Sequence, residues 1–373
     1  LKLPTFTRRS RLRSPVPAVL LPASMVEGDS CHRVAREHRK SLVGRRFAAS
    51  SPNKRFSVGA RAIVKSGGVL LRIEVHGKNL FYFFGAHGAA AGSAGEAVVV
   101  HIHFGMAGAF AVYRGEEPEA SANCRLRLET ADGGAQLVGH LSAMTVEHGP
   151  PAKFYHAIAA KLGQDPLRDD VNVDAFLSRV AVFGKSKPIG ALLMDQTVLA
   201  GVGNIYRTET LYEAGIHPLQ PANTLTREEL LHLWAVIVRQ MQEGFKTGSI
   251  WGRRAGPCCY GLPKSKCGGK VKFWIMGGRN VYACAKKQRL DAKRKAAAAL
   301  PKAGTSHIKK VTRQAAVEER KRKSGEGLGV QHMALKDDAT RAGALAAKSR
   351  VRKRPASSGS SRAATAKRTR TSA

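Results

Sequence analysis

From Asp291 to Ala373 the chain holds 22 Lys and Arg against 6 Asp and Glu, a net +16, and not one Phe, Trp or Tyr. A stretch without aromatic anchors, its branched apolar residues few and scattered, cannot bury enough surface to offset the entropy lost on ordering it. It reads as a disordered basic arm, so any folded core must lie upstream. Arg320-Lys321-Arg322-Lys323, Arg350–Arg354 and Lys367–Arg370 read as nuclear-localisation-like or backbone-binding clusters, with a merely solubilising tail as the alternative. Leu1–Ser24 is also basic, carrying Lys2, Arg8, Arg9, Arg11 and Arg13 and no acid. It reads either as an organelle transit peptide or as upstream sequence, with Met25 a second candidate start. Over all 373 residues, 62 Lys and Arg against 27 Asp and Glu leave +35. No apolar run approaches the roughly 20 residues a membrane span needs. The expected partner is therefore a polyanion, with nucleic acid the default and no membrane.

Apolar residues make up 43% of the chain, enough for a core in two or three modules. Val69–Val75, Leu80–Phe84, Val98–Phe104, Ala109–Tyr113 and Arg125–Glu129 are branched or aromatic runs split by Gly and Pro. Within residues 60–146 they predict an antiparallel sandwich or barrel. A helix capped by Asp29 or Ser30 and ending at Gly44 precedes it. From Pro151 the period turns helical, with Phe154–Leu162, Val173–Phe183 and Ile189–Leu199. A Thr226/Glu229 capping box then opens a helix whose Leu230, Leu233, Trp234, Ile237, Val238 and Met241 share a face. After Gly248 the texture is rich in Cys and Gly up to Gln288. Four of the six cysteines lie between Cys258 and Cys284, a clustering that suggests a metal site rather than a disulfide framework.

In Met194-Asp-Gln-Thr-Val-Leu-Ala-Gly-Val-Gly-Asn-Ile-Tyr-Arg-Thr-Glu209, Gly201 and Gly203 permit a tight turn. Asn204 is expected to cap the following helix, whose N–H groups make a ready phosphate site. Alone, the string also fits an ordinary helix–turn–helix packing unit. It closely resembles, however, the helix–two-turn–helix motif of the formamidopyrimidine-DNA glycosylase/endonuclease VIII (Fpg/Nei) family, down to Gly-Ile-His-Pro at Gly215–Pro218. Met25-Val26-Glu27-Gly28 is similar to the family's amino terminus. There the resemblance implies a free Val26 amine, titrating near pH 8 and partly neutral at pH 7, that attacks C1′ of the sugar. Glu27 would be the acid that opens the sugar or shuttles protons. In starting with Val, the chain is closest in style to one vertebrate endonuclease VIII-like paralogue. Ser30, where many relatives have a second acid, implies base excision that outruns strand cleavage.

Val75-His-Gly-Lys78-Asn-Leu is similar to the family's Arg-Gly-Lys-His-Leu turn and implies Lys78 at a hairpin tip near the lesion phosphate. His103-Phe-Gly-Met106 matches His-Leu-Gly-Met and implies Met106 as the wedge that fills the gap left by a flipped base. The family's Arg-Arg-Phe-Gly turn is missing, the comparable place reading Leu137-Val-Gly-His-Leu141. The orphaned strand would then be held poorly, which favours single-stranded, bubble or fork DNA. Asn204 and Arg279, by the resemblance, grip DNA phosphates. The finger departs from the family pattern: Cys258, Cys259, Cys267 and Cys284 are the available zinc ligands, Lys287 stands in the fourth cysteine's place, and no His lies between Ile250 and Leu290. Zinc needs four ligands in a closed structural site, so its binding stays open, and a zincless hairpin would still deliver Arg279. Gln242–Trp251 leaves no room for the loop that covers 8-oxoguanine in bacterial relatives, implying weak activity on that lesion.

The expected fold is α+β and multidomain. Residues 1–24 are the leader and 25–150 a β-sandwich with a flanking helix. A helix–two-turn–helix domain follows over 151–249, a degenerate zinc-finger-like hairpin over 250–290, and the disordered basic tail over 291–373. The expected function is a monomeric base-excision-repair glycosylase with AP lyase activity on damaged, open DNA. Its expected substrates are oxidised pyrimidines, formamidopyrimidines and hydantoins. The alternative is a non-catalytic damaged- or single-stranded-DNA-binding protein, should the chain not be trimmed to Val26. An RNA-binding protein of the same helical motif would have no need of Glu27, Lys78 or Met106. The tail implies the nucleus; a true leader would imply a mitochondrion or plastid.

Overall fold

The computed structural model describes residues 26–89, 96–185 and 187–296. Residues 1–25, with the leader and Met25, and the tail clusters beyond 296 lie outside the described residues. Two antiparallel four-stranded sheets form the first part, in the orders β2-β3-β4-β8 and β1-β6-β7-β5. Their strands are β1 (Phe47–Ser50), β2 (Val69–His76), β3 (Asn79–Gly85), β4 (Glu96–His103), β5 (Ala109–Arg114), β6 (Leu126–Thr130), β7 (Leu137–Ser142) and β8 (Thr145–Gly149). Leu70, Ile73, Leu80, Tyr82, Phe84 and Val100 from one sheet share a core with Phe47, Phe110, Leu126, Leu128 and Leu141 from the other. The expected sandwich is thus present. Strand β3 is buried along its whole length because helix α3 (Pro151–Ala159) covers its other face, packing Phe154, Tyr155 and Ile158 on Phe81 and Phe83. A run apolar at every position, as Leu80–Phe84 is, needs cover on both faces.

Several elements of this part differ from the expected run of strands. Helix α2 (Ser57–Lys65) occupies the start of the range assigned to strands, and β1 and β8 are additional. Leu137–Leu141, the place comparable to the family's Arg-rich turn, is strand β7 in the middle of its sheet. The exposed turn that feeds it spans residues 131–136 and carries Asp132 as its one charged side chain.

Helix α1 (Gly28–Leu42) buries Cys31, Ala35 and Leu42 in the sandwich core. Its N-cap is Glu27, not Asp29 or Ser30: Ser30 Oγ accepts the Glu27 N–H at 3.1 Å and donates back to the Glu27 carbonyl at 2.7 Å. The helical part comprises α4 (Val173–Gly184), α5 (Ile189–Leu192), α6 (Asn204–Ala214) and α7 (Arg227–Thr247). Thr226 and Glu229 cap α7 reciprocally, at 3.2 and 2.8 Å, as expected. Leu230, Leu233, Ile237 and Met241 are buried on the expected face. The expected helix Ile189–Leu199 is only one turn, after which the chain runs through turns to Gly201.

The finger is a two-stranded hairpin, β9 (Val271–Met276) and β10 (Arg279–Cys284), turning at Gly277 and Gly278. Asp291, placed at the start of the tail by composition, exchanges hydrogen bonds with the Gln220 side chain, and Arg294 pairs with Glu229 at 2.6 Å. The chain stays attached to the helical part for several residues past the expected boundary. Among the described residues no helix is long and apolar enough to cross a membrane.

Candidate active site and DNA interface

Three chain segments meet at the start of α6. Its N-cap is Gly203, and Asn204 is the first helical residue rather than the cap. The capping group comes instead from a distant element. Glu27 Oε2 accepts the Gly203 N–H at 2.9 Å and Oε1 accepts the Ile205 N–H at 2.8 Å. The carboxylate therefore sits on the positive end of α6, where unsatisfied N–H groups favour an anion. It is also 2% exposed. Burial raises the Glu27 carboxyl above the usual carboxylate range, and the nearby Lys78 charge and the two backbone N–H groups only partly offset this.

Lys78 arrives on the β2–β3 hairpin, whose register pairs His76 with Asn79 around a two-residue turn, Gly77-Lys78. Gly77 has φ of +61°, and among the described non-glycine residues only Lys54 has a positive φ. Gly at the first turn position alone in that region is the type II′ pattern. Lys78 is thus at the hairpin tip, as expected, and its Nζ donates to the Val202 carbonyl at 2.8 Å. Burial lowers its pKa, opposed by the Glu27 charge and reinforced by Arg279. A Cβ on Gly203 would lie 2.5 Å from Glu27 Cδ and 2.8 Å from Lys78 Nζ, so the two groups flank this one glycine. Val26, half-buried, packs against the sandwich core immediately before Glu27.

Asn204 Nδ2 donates to the Asn280 carbonyl of β10 at 2.9 Å, and its Oδ1 accepts from Arg207. A phosphate held by Asn204 would replace a bond to the finger rather than occupy a vacant amide. Arg207 is 1% exposed, and burial with the neighbouring Arg279 pulls its pKa down to about 10. Its Nε has no partner in the described structure. Arg279 reaches Met106, Nη1 lying 3.4 Å from Sδ. Met106 is 61% exposed at the end of the β4 segment, and Met144, equally exposed, packs on Gly105 beside it. Glu27, Lys78, Asn204, Arg279 and Met106 therefore gather along one line between sandwich, α6 and finger. Lys78, Arg207 and Arg279 make that line cationic, with Glu27 the carboxylate among them.

Several contributors were missed by the sequence reading. Arg207 looked like one more basic residue on a helix. Asp165 is 3% exposed and accepts from the Gly77 N–H at 2.6 Å, with His32 Nε2 at 2.7 Å. It ties α1 and the Lys78 turn together. Glu209 accepts the N–H groups of Cys258, Cys259 and Tyr260 at 2.8–2.9 Å, anchoring the finger on α6. Asp165 and Glu209 have no local signal, because their partners lie far along the chain.

The four cysteines pack in one cluster, Cys259 and Cys284 buried and Cys258 and Cys267 against them, but their sulfurs face other groups. Cys267 and Cys284 sulfurs are 3.5 Å apart, with Ser265 Oγ 3.2 and 3.1 Å from them. Cys258 Sγ faces Arg254 Nη1 at 3.2 Å, while Cys259 is buried in the finger core with Tyr212 and Val271. Among the described residues no three His, Cys, Asp or Glu side chains are placed to hold a metal. A hydroxyl between two of the sulfurs and a guanidinium on a third do not fit the four-ligand zinc arrangement.

Residues 162–253 match the family model for the formamidopyrimidine-DNA glycosylase H2TH domain. Endonuclease 8 1 of Mycobacterium tuberculosis is 34% identical over 281 residues, covering 70% of this chain and 98% of that protein. The chain belongs to the Fpg/Nei family of base-excision-repair DNA glycosylases. Members of the family combine glycosylase and AP lyase activities. Formamidopyrimidine-DNA glycosylase of Haemophilus influenzae is 32% identical over 150 residues, 35% of this chain and 52% of that one. The fold also matches Lactococcus lactis Fpg in complex with abasic-site DNA, with a TM-score of 0.58 over 70% of this chain and 99% of that chain, at 21% identity. The likeness is to the Fpg fold, with the H2TH domain over residues 162–253.

Proposed function

We propose that the chain, trimmed to Val26, excises oxidised pyrimidines, formamidopyrimidines and hydantoins from damaged DNA and then acts on the abasic site through a Schiff base. The observation that carries this is Glu27, buried on the N-terminus of α6 with Lys78 on the other side of Gly203. A free Val26 nitrogen would attack C1′, the C1′–N bond to the base would break, and the base would leave with a proton. Ring opening then gives the iminium. Glu27, kept protonated to higher pH than an ordinary carboxyl, is suited to donate the proton that opens the sugar ring. Lys78, its pKa lowered, is suited to a phosphate contact or to proton transfer beside it. Asn204, Arg207 and Arg279 would take the flanking phosphates, and Met106 would enter the stack.

The turn over residues 131–136 has one charged side chain, the anion Asp132 paired with Arg45, and no cation of its own to grip the orphaned strand, which supports preference for single-stranded or open DNA. For the finger we infer a hairpin that holds without zinc, its place taken by the Glu209 anchor and the packing of Tyr212, Cys259 and Val271. Chelation should then leave DNA binding unchanged, with less than one zinc per chain by elemental analysis.

Sodium borohydride trapping on single-stranded DNA with an abasic site or a hydantoin tests the mechanism. Protein beginning at Val26 should be trapped covalently, and protein that keeps residues 1–25 should not. Trapping of neither, with binding intact, favours the damage-binding alternative. Trapping of both moves the nucleophile to a lysine, Lys78 first. The same assay with 8-oxoguanine should give the weakest excision of the series.

A further inference from the structure

The finger carries a series of rings that the excision chemistry does not use. Trp251, Tyr260, Tyr282 and Phe273 follow one another with centroids 6.4, 5.0 and 6.0 Å apart. The series passes the cationic line at Tyr260, which neighbours Asn204 and Arg279. It ends in solvent, Phe273 being 66% exposed and Ile275, two residues on along the same face of β9, 75% exposed. On the opposite face Trp274 is occupied, stacked on His217 at 5.5 Å and 10°. Apolar surface of this kind on a small hairpin gains nothing in the isolated chain and is the sort of patch that marks a contact.

Charge decides what the contact is. From Gly244 to Leu290 the chain has eleven Lys and Arg and no Asp or Glu. Lys270 and Lys272, both exposed, precede Phe273 in the chain, Lys272 lying on the Trp274 and His217 side of the strand. A cationic surface rejects a cationic second copy of the chain and accepts a polyanion. Rings beside lysines fit a polyanion that also has free aromatic faces. Duplex DNA shows phosphates and base edges but keeps its base faces stacked on one another; only unpaired nucleotides can lay a face on a ring.

We propose that the Phe273–Tyr282 face of the finger is a stacking platform for unpaired bases of single-stranded DNA leading away from the lesion. This rests on the reading of the chain as a DNA-acting glycosylase, and it gives preference for open DNA an attractive cause besides the missing grip on the opposite strand.

The test uses an undamaged oligonucleotide carrying 2-aminopurine, single-stranded and in duplex, so that no excision is needed. Binding is read by anisotropy and stacking by quenching of 2-aminopurine. Phe273→Ala should weaken single-stranded binding by about 5- to 100-fold and abolish the quenching, with duplex binding within about twofold. Phe273→Trp should restore both, and Phe273→Leu, which keeps apolar area without a ring, should not. Equal losses on single strand and duplex, no loss at all, or full rescue by leucine would each overturn the platform. So would self-association in sedimentation that Phe273→Ala removes, since a second copy would then be the occupant. Excision by the Val26-initiated protein is measured alongside. Its absence with the stacking effect intact would sink the glycosylase reading and leave the platform standing.

Discussion

Gly203 has φ of −121°, ordinary extended backbone, so its need for glycine is spatial and not conformational. Any side chain there must displace Glu27, Lys78 or both. Gly203→Ala should therefore lower single-turnover excision by about 100-fold, the cost of shifting catalytic groups by about an ångström. The fold should survive, as circular dichroism would show. The raised carboxyl of Glu27 sets a pH limb of its own. As the proton donor it is lost when pH climbs through its folded pKa, which lies above the usual carboxylate value. Excision should decline through that range, and Glu27→Gln should remove the limb along with about 10²- to 10⁴-fold of rate. A pH–rate profile of both proteins would decide it; an unchanged limb in the variant assigns the proton to another group. Glu27 and Lys78 were legible in the sequence because short motifs surround them. Arg207 was not, since burial, not sequence context, sets it apart from its neighbours.

At the scale of elements, Asp165 joins α1 to the β2–β3 turn. Burial pushes its carboxyl up, but the His32 hydrogen bond and charge, with the Gly77 and Leu167 N–H groups, outweigh that and leave it below the ordinary value. A carboxyl with a lowered folded pKa adds stability above its unfolded pKa of about 3.9, and that stability is lost as pH falls through the folded value. Asp165→Asn should cost about 3 kcal/mol at pH 7 in urea unfolding. The two proteins should converge at strongly acid pH; a gap that persists there would mean that shape rather than charge matters. Glu209 plays the matching part for the finger. In Glu209→Gln the amides of Cys258, Cys259 and Tyr260 should exchange faster while the β2–β3 amides keep their protection. Helix α7 was readable because its cap and its face are both local. The Ile189–Leu199 helix was misread because its apolar spacing serves turns buried under α6 and α7, where Leu192, Leu193, Val198 and Leu199 are each at most 1% exposed.

For the molecule as a whole, the charge excess predicts how binding responds to salt. Each phosphate neutralised contributes a slope of about 0.7 to 0.9 in log K against log salt. Protein ending at residue 296 should show a shallower slope than the full chain for the same oligonucleotide, with its excision rate at saturating DNA unchanged. An equal slope would mean that the tail makes no backbone contacts. The order of modules, the hairpin lysine, the H2TH segment and the basic ends were all present in the sequence, because period, turn chemistry and charge are properties of neighbouring residues. The cap of α6, the pairing of Asp165 with Gly77 and of Glu209 with the finger, the packing of the four cysteines in one cluster and the run of rings to Phe273 were not. Each depends on groups from different segments of the chain, and only the packing of sandwich, helices and finger brings them within a hydrogen bond or a ring's width of one another.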